Sequence, residues 1–177
     1  MIEHHLDVPT ADGAMNSFVV HPEEGGSFPD TEAMLRFVDA HPYADAARIG
    51  AVGYCMSGPF VMWAAADFPE RFRCIASIHG ANMVTDQPDS PHMAASRIRC
   101  ESYFACAEFD KWAPPADIRT LQAALEVAGT PHRIEWYPGV EHGFVFPLRA
   151  GIYNQAAAER HWERLFSLFG RTLRDGG

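Results

Sequence analysis

The segment that most limits what this chain can become is Gly53-Tyr54-Cys55-Met56-Ser57-Gly58, read together with its flanks. Ahead of it, residues 48–53 (Arg-Ile-Gly-Ala-Val-Gly) form a short, nearly continuous apolar run, which suits a strand buried on both faces of a parallel sheet. Behind it, residues 59–67 read as a helix, with Pro59 tolerated in the first turn. A strand that becomes a helix within so few residues must turn sharply, and such a turn strains the residue at its tip. Small residues two positions either side of the tip let the chain pass close to its neighbours. Gly53 meets that demand, and Ser57, nearly as small, stands where the pattern has a second glycine.

The remainder of the chain alternates strands and helices around this turn. Residues 3–9 and 14–21 read as two short strands joined by Ala11-Asp12-Gly13, since Asp-Gly is a strong turn signal between such runs. Residues 22–26 form a loop. Asp30 caps a helix whose apolar stripe is Met34, Phe37 and Val38, and which stops before Pro42. After the turn come a buried strand at 72–79 and a long loop or lid at 80–96. A strand at 100–107, a helix over Pro115–Ala128 and a last strand at 133–137 follow. Gly129 lies just past that helix. A C-terminal helix starts near Ile152, with Ala158, Trp162, Leu165 and Phe169 on its buried face. Alternation of this kind implies an α/β fold with a mostly parallel sheet and helices on both sides.

Chemistry converges on the turn. A thiolate is a good nucleophile, and a helix N-terminus favours it, so Cys55 is the candidate nucleophile. The turn aims the backbone N–H of Met56 at the reacting carbonyl, as one oxyanion donor. Ser57 is a rival nucleophile, but its own frame has Cys55 and Pro59 two positions away instead of small residues. A nucleophile of this type needs a base, and the base needs an orienting acid. Asp110, with Glu108 as a nearby alternative, follows the strand at 100–107. His142, in Gly139-Val140-Glu141-His142-Gly143-Phe144, follows the last strand. Loops at the C-terminal ends of parallel strands are where such sheets build their sites. Tyr54, His79, Trp112, Phe144 and Arg149 are candidates for substrate contact, Arg149 through a substrate carboxylate. His92 lies in the expected lid.

Composition excludes several function classes. With 14 Lys and Arg against 23 Asp and Glu, the net charge of −9 repels phosphate backbones, so no nucleic-acid partner is expected. No apolar run reaches the roughly 18–20 residues that span a bilayer, so no membrane partner is expected either. The first residues lack the basic start and apolar stretch of a signal peptide, which points to the cytoplasm. Cys55, Cys74, Cys100 and Cys106 form no C-x-x-C pair, and no H-x-x-x-H spacing occurs, so no metal is assigned. Cys74, Cys100 and Cys106 read as buried structural thiols. A length of 177 residues suits one domain over 1–177.

The Cys55 turn, the segment Ala107-Glu108-Phe109-Asp110 with Pro114 close behind, and Glu141-His142-Gly143-Phe144 together resemble the dienelactone hydrolase family, part of the α/β-hydrolase superfamily. His41-Pro42-Tyr43 and the long C-terminal helix after Tyr153 are similar to the family as well. The resemblance implies a three-layer α/β sandwich and a Cys–His–Asp triad at Cys55, His142 and Asp110. It implies a cofactor-free, carboxymethylenebutenolidase-like hydrolase of small esters or lactones that works through an acyl-enzyme.

One departure from the family is large. After Pro29 the chain runs directly into the helix, without a strand–helix–strand stretch of several tens of residues. In the family that stretch supplies the second oxyanion donor, a glutamate that interacts with the resting cysteine, and part of the substrate-carboxylate site. No residue here matches those roles. An uncovered central strand edge is an aggregation hazard, so a cover is expected: a partner subunit in a homo-oligomer, or a different packing of the first two strands. The same departure motivates an alternative function, a non-catalytic ligand-binding or thiol-redox module.

Overall fold

The computed structural model describes the backbone of residues 2–10, 13–21, 27–42 and 44–174, and side chains from residue 31 onward. The expected turn at Ala11-Asp12 and the loop at 22–26 lie outside the described residues. The chain forms two compact units, Met1–Ala44 and Asp45–Gly177.

In the first unit, β1 (Ile2–Thr10) and β2 (Gly13–His21) pair antiparallel in a register running from Ile2↔His21 to Thr10↔Gly13. Helix α1 spans Ser27–Ala40, so it starts three residues before the expected cap, and Asp30 lies inside it. Pro29 does not prevent this, because the N–H groups of a first helical turn have no partner within the helix. Within α1 it is Leu35 that is buried, while Met34 and Phe37 of the expected stripe are exposed.

The second unit is built on four parallel strands in the order β3 (Ile49–Tyr54), β4 (Phe72–Ile78), β5 (Glu101–Phe109) and β6 (His132–Glu141). Helix α2 (Gly58–Asp67) connects the first pair and α3 (Pro115–Ala128) the last. α4 (Gln155–Thr172) closes the chain. Side chains alternate across the sheet. Cys74, Ala76, Ile78, Tyr103, Ala105 and Ala107 join Ala158, Leu165 and Leu168 of α4 in one core. α2 packs on β3 and β4, and Ser77, set between Ala76 and Ile78, approaches Gly58 at the start of α2.

Several expected boundaries shift. β6 runs four residues past Tyr137, through Pro138, because the outer side of the last strand of this sheet needs no donor from a proline. Of the expected lid at 80–96, much is packed structure: a 3-10 helix, Pro91–Arg97, buries Pro91, Ala94 and Ala95 against α2 and α3. The Thr130 hydroxyl donates to the Ala95 carbonyl at 2.8 Å and pins that segment. α4 begins at Gln155, not near Ile152, because Asn154 caps it by accepting from the Ala157 N–H at 3.0 Å. Its buried face is Ala158, His161, Leu165 and Leu168, with Trp162 partly exposed. Among the described residues no helix is long and apolar enough to cross a membrane.

Candidate active site

Residues at the C-terminal ends of the strands meet in one place. Cys55 follows β3 directly, at the start of a 3-10 turn, Cys55–Ser57, that leads into α2. Its φ is +54°, left-handed backbone that costs a non-glycine residue about 1–3 kcal/mol and holds only where the surroundings enforce it. Three contacts enforce it here. The Tyr54 N–H donates to Ser57 Oγ at 2.8 Å, and that hydroxyl donates to the Tyr54 carbonyl, also at 2.8 Å. The Ala81 N–H donates to the Cys55 carbonyl at 3.0 Å. Gly53 cannot carry a side chain, since a Cβ would lie 2.1 Å from the Ser57 carbonyl oxygen. The second tight position is Gly58, whose Cβ would meet Gly80 Cα and Ser77 Oγ at 2.5 Å each. The steric demand that sequence reasoning assigned to Ser57 thus falls one residue later. Ser57 uses its hydroxyl on the Tyr54 backbone.

His142 stands between a sulfur and a carboxylate. Its Nε2 is 3.0 Å from Cys55 Sγ, and its Nδ1 is 2.7 Å from Asp110 Oδ2. A carboxylate that is ionised only accepts, so Nδ1 carries the proton and Nε2 faces the thiol. The other Asp110 oxygen accepts from the Trp112 N–H at 2.9 Å, which fixes the carboxylate in a loop just past β5. The Trp112 carbonyl in turn accepts from the Asn82 N–H at 2.7 Å. Asp110 is buried, and only 11% of the His142 side chain is exposed. Burial alone would lower the pKa of His142. Its hydrogen bonds to Asp110 and Cys55 outweigh that and hold it above the ordinary histidine value. Glu108, the alternative acid, is elsewhere: its carboxylate accepts from the Gly139 N–H at 2.6 Å.

Cys55 also differs from the other thiols. It is partly exposed, whereas Cys74, Cys100 and Cys106 are buried. Burial pushes Cys100 and Cys106 up to about 12 and raises Cys74. Those three are poor nucleophiles near neutral pH.

A cavity of about 590 Å³ opens beside this arrangement, lined by Asp110, Lys111, Trp112, His142, Arg149 and Ile152 among others. Arg149 lies against Gly143, where a Cβ would come within 2.4 Å of its Nη1, and its guanidinium carbon sits 5.5 Å from the centre of the Phe146 ring. Gly143, at φ +90°, therefore leaves the room that Arg149 occupies. A smaller cavity of about 350 Å³ is lined by Met56, Phe60 and Trp63 among others.

Of the five residues expected to touch substrate, Trp112 and Arg149 line the larger cavity. Phe144 does not: it is fully buried, with its ring 4.9 Å from that of Tyr137. Tyr54 turns inward, its hydroxyl 3.2 Å from His161 Nε2. His161 Nδ1 faces the Ala158 carbonyl, which accepts only, so Nε2 receives the Tyr54 proton. Burial pushes the Tyr54 hydroxyl up to about 12. His79 is 1% exposed and packs on His142. His92 bonds at 2.8 Å to the Oγ of Ser90, the residue just ahead of its 3-10 segment. Lys111, which sequence reasoning missed, lines the larger cavity with its ammonium 4.9 Å from the centre of the Trp112 ring. Among the described residues no group of three His, Cys, Asp or Glu side chains is placed to hold a metal ion.

This architecture has known counterparts. The chain is 28% identical over 148 residues to a protein of Synechocystis sp. that carries a provisional carboxymethylenebutenolidase name, a match covering 82% of this chain and 59% of that one. It is likewise 28% identical over 141 residues to a carboxymethylenebutenolidase of Rhodococcus opacus, covering 77% and 55%. A dienelactone hydrolase-like promiscuous phosphotriesterase from metagenomic libraries superposes with a TM-score of 0.71 at 18% identity, over 81% of this chain and 60% of that one. This last match speaks to the fold alone. The chain thus spans less than two thirds of the length of these relatives. The model of the dienelactone hydrolase family matches residues 5–173, nearly the whole sequence, and the chain belongs to that family.

Proposed function

We propose that this protein hydrolyses small esters or lactones by covalent catalysis at Cys55. The observation that carries this reading is the line Cys55 Sγ–His142 Nε2–His142 Nδ1–Asp110 Oδ2, with steps of 3.0 and 2.7 Å across the ring. His142 takes the thiol proton, and Asp110 supports the resulting imidazolium. The thiolate adds to the substrate carbonyl, and the Met56 N–H stabilises the oxyanion that forms. As the carbonyl re-forms, the C–O bond to the alcohol breaks, and His142 gives its proton to the leaving oxygen. Cys55 is left as a thioester. His142 then removes a proton from water as the water attacks the thioester, and the acid is released with the thiol regenerated. For a lactone the leaving oxygen stays tethered to the product. Arg149 and Lys111 place two cations in the lining of the cavity, and these suit a substrate with a carboxylate of its own.

The test is turnover of a short-chain chromogenic ester or a dienelactone by the wild type, Cys55→Ala and His142→Ala. Both variants should fall by on the order of 10³-fold or more in kcat. Equal activity of wild type and Cys55→Ala would remove Cys55 from the mechanism. A second reading, a ligand-binding or thiol-redox module, draws on the short span relative to the relatives. It gains if a limiting dose of iodoacetamide labels Cys55 rapidly and selectively while no ester is turned over.

A further inference from the structure

We propose that His79 is a positioning residue for His142: its buried ring is the wall that keeps the His142 imidazole in line between Asp110 and Cys55. This rests on the reading of Cys55 as nucleophile. Each of the four parallel strands delivers one residue to the site at its C-terminal end, Cys55 from β3, Asp110 from β5 and His142 from β6. His79 is the contribution of β4, the strand between those of Cys55 and Asp110. Its ring centre is 4.8 Å from that of His142, with the planes at 63°. Phe146 at 5.2 Å, Phe144 at 5.7 Å and Tyr54 at 6.1 Å enclose it further. Its backbone is anchored, the N–H donating to the Ala105 carbonyl at 2.7 Å.

Among the described residues neither ring nitrogen of His79 has a hydrogen-bond partner. What the ring offers His142 is a packed aromatic surface. That surface matters most in the acyl-enzyme. There the sulfur is committed to the thioester, His142 loses its contact at Nε2, and the Asp110 bond at Nδ1 alone does not stop the ring from swinging. A ring packed against it at 4.8 Å keeps Nε2 aimed where water must be activated, and small displacements of a catalytic group are costly. The left-handed backbone, φ +39°, accounts for the histidine type, since Asn, Asp and His tolerate this region better than apolar residues do.

Two substitutions separate wall from backbone. His79→Asn keeps the backbone comfortable and removes the ring; His79→Phe keeps a ring and strains the backbone. In His79→Asn the rate of Cys55 alkylation by iodoacetamide at neutral pH should fall about fivefold or more, and the kcat for ester hydrolysis about tenfold or more, with KM unchanged within about twofold. In His79→Phe both rates should stay within about threefold of the wild type, although its Tm should be the lower of the two variants. A wild-type rate in His79→Asn, or a loss in His79→Phe as large as in His79→Asn, overturns the proposal. Alkylation reads the Cys55–His142 pair whether or not any ester is turned over. If His142→Ala leaves wild-type alkylation unchanged, the reading of the site fails instead.

Discussion

Cys55 and His79 share a property that few non-glycine residues have, left-handed backbone within one site. For Cys55 it lifts the sulfur to the tip of the turn. For His79 it sets an imidazole in an aromatic enclosure, where burial first, and the neighbouring His142 second, push its pKa down to about 3. The consequence for stability has a definite sign. The folded value lies below the unfolded value of about 6.5, so the neutral ring contributes its full stability above about pH 6.5 and that stability is lost as the pH falls toward about 3. In that window the residue should cost on the order of 1.4 kcal/mol per pH unit. Urea unfolding followed from pH 7 to pH 4 should show a steeper loss in the wild type than in His79→Phe; parallel curves would mean that His79 does not stay neutral. That Cys55, Asp110 and His142 come together was readable from sequence because each follows a strand of the parallel sheet. The burial of His79, and its place against His142, were not: they depend on Phe144 and Phe146, which reach it from beyond β6.

At the scale of elements, the turn from β3 into α2 depends on contact between glycines 22 residues apart. A Cβ on Gly58 would lie 2.5 Å from Gly80 Cα, and because that neighbour is backbone it cannot rotate away. Gly58→Ala should therefore destabilise the protein by about 1–3 kcal/mol despite the better helix propensity of alanine. Gly170→Ala, in α4 with nothing within 4 Å of its Cβ, should be neutral or stabilising by up to about 1 kcal/mol. Thermal denaturation of the two variants side by side checks the contrast. Sequence pattern found these strands and helices because their apolar runs are continuous, but it misjudged α4. It placed apolar Trp162 inward, whereas the buried position belongs to His161, whose two ring nitrogens find the Tyr54 hydroxyl and the Ala158 carbonyl. A polar residue that is fully satisfied buries as well as an apolar one, and periodicity does not register the partner.

Across the whole molecule, the strand that leads into Cys55 lies, like β6, at an edge of the four-stranded sheet. Among the described residues β3 pairs only with β4, while β4 and β5 each have a neighbour on both sides. β3 is also half-buried along most of its length, where β4 is almost entirely buried. Opening free energy follows such differences in burial and pairing. Amide hydrogen exchange should therefore release β3 before β4 and β5, and equal protection in all three would show that β3 has a further cover. That the site rests partly on a strand with one neighbour among the described residues follows from strand order, which sequence pattern does not register. One consequence is practical. The four cysteines form a built-in gauge of partial opening, one partly exposed thiol just past an edge strand and three in the interior. At low denaturant, detachment of β3 should part Cys55 from His142 and uncover Cys74, which lies against Gly50, while Cys100 and Cys106 remain shielded. Counting labelled thiols per molecule would then separate the protein that has lost its site from the protein that has lost its fold.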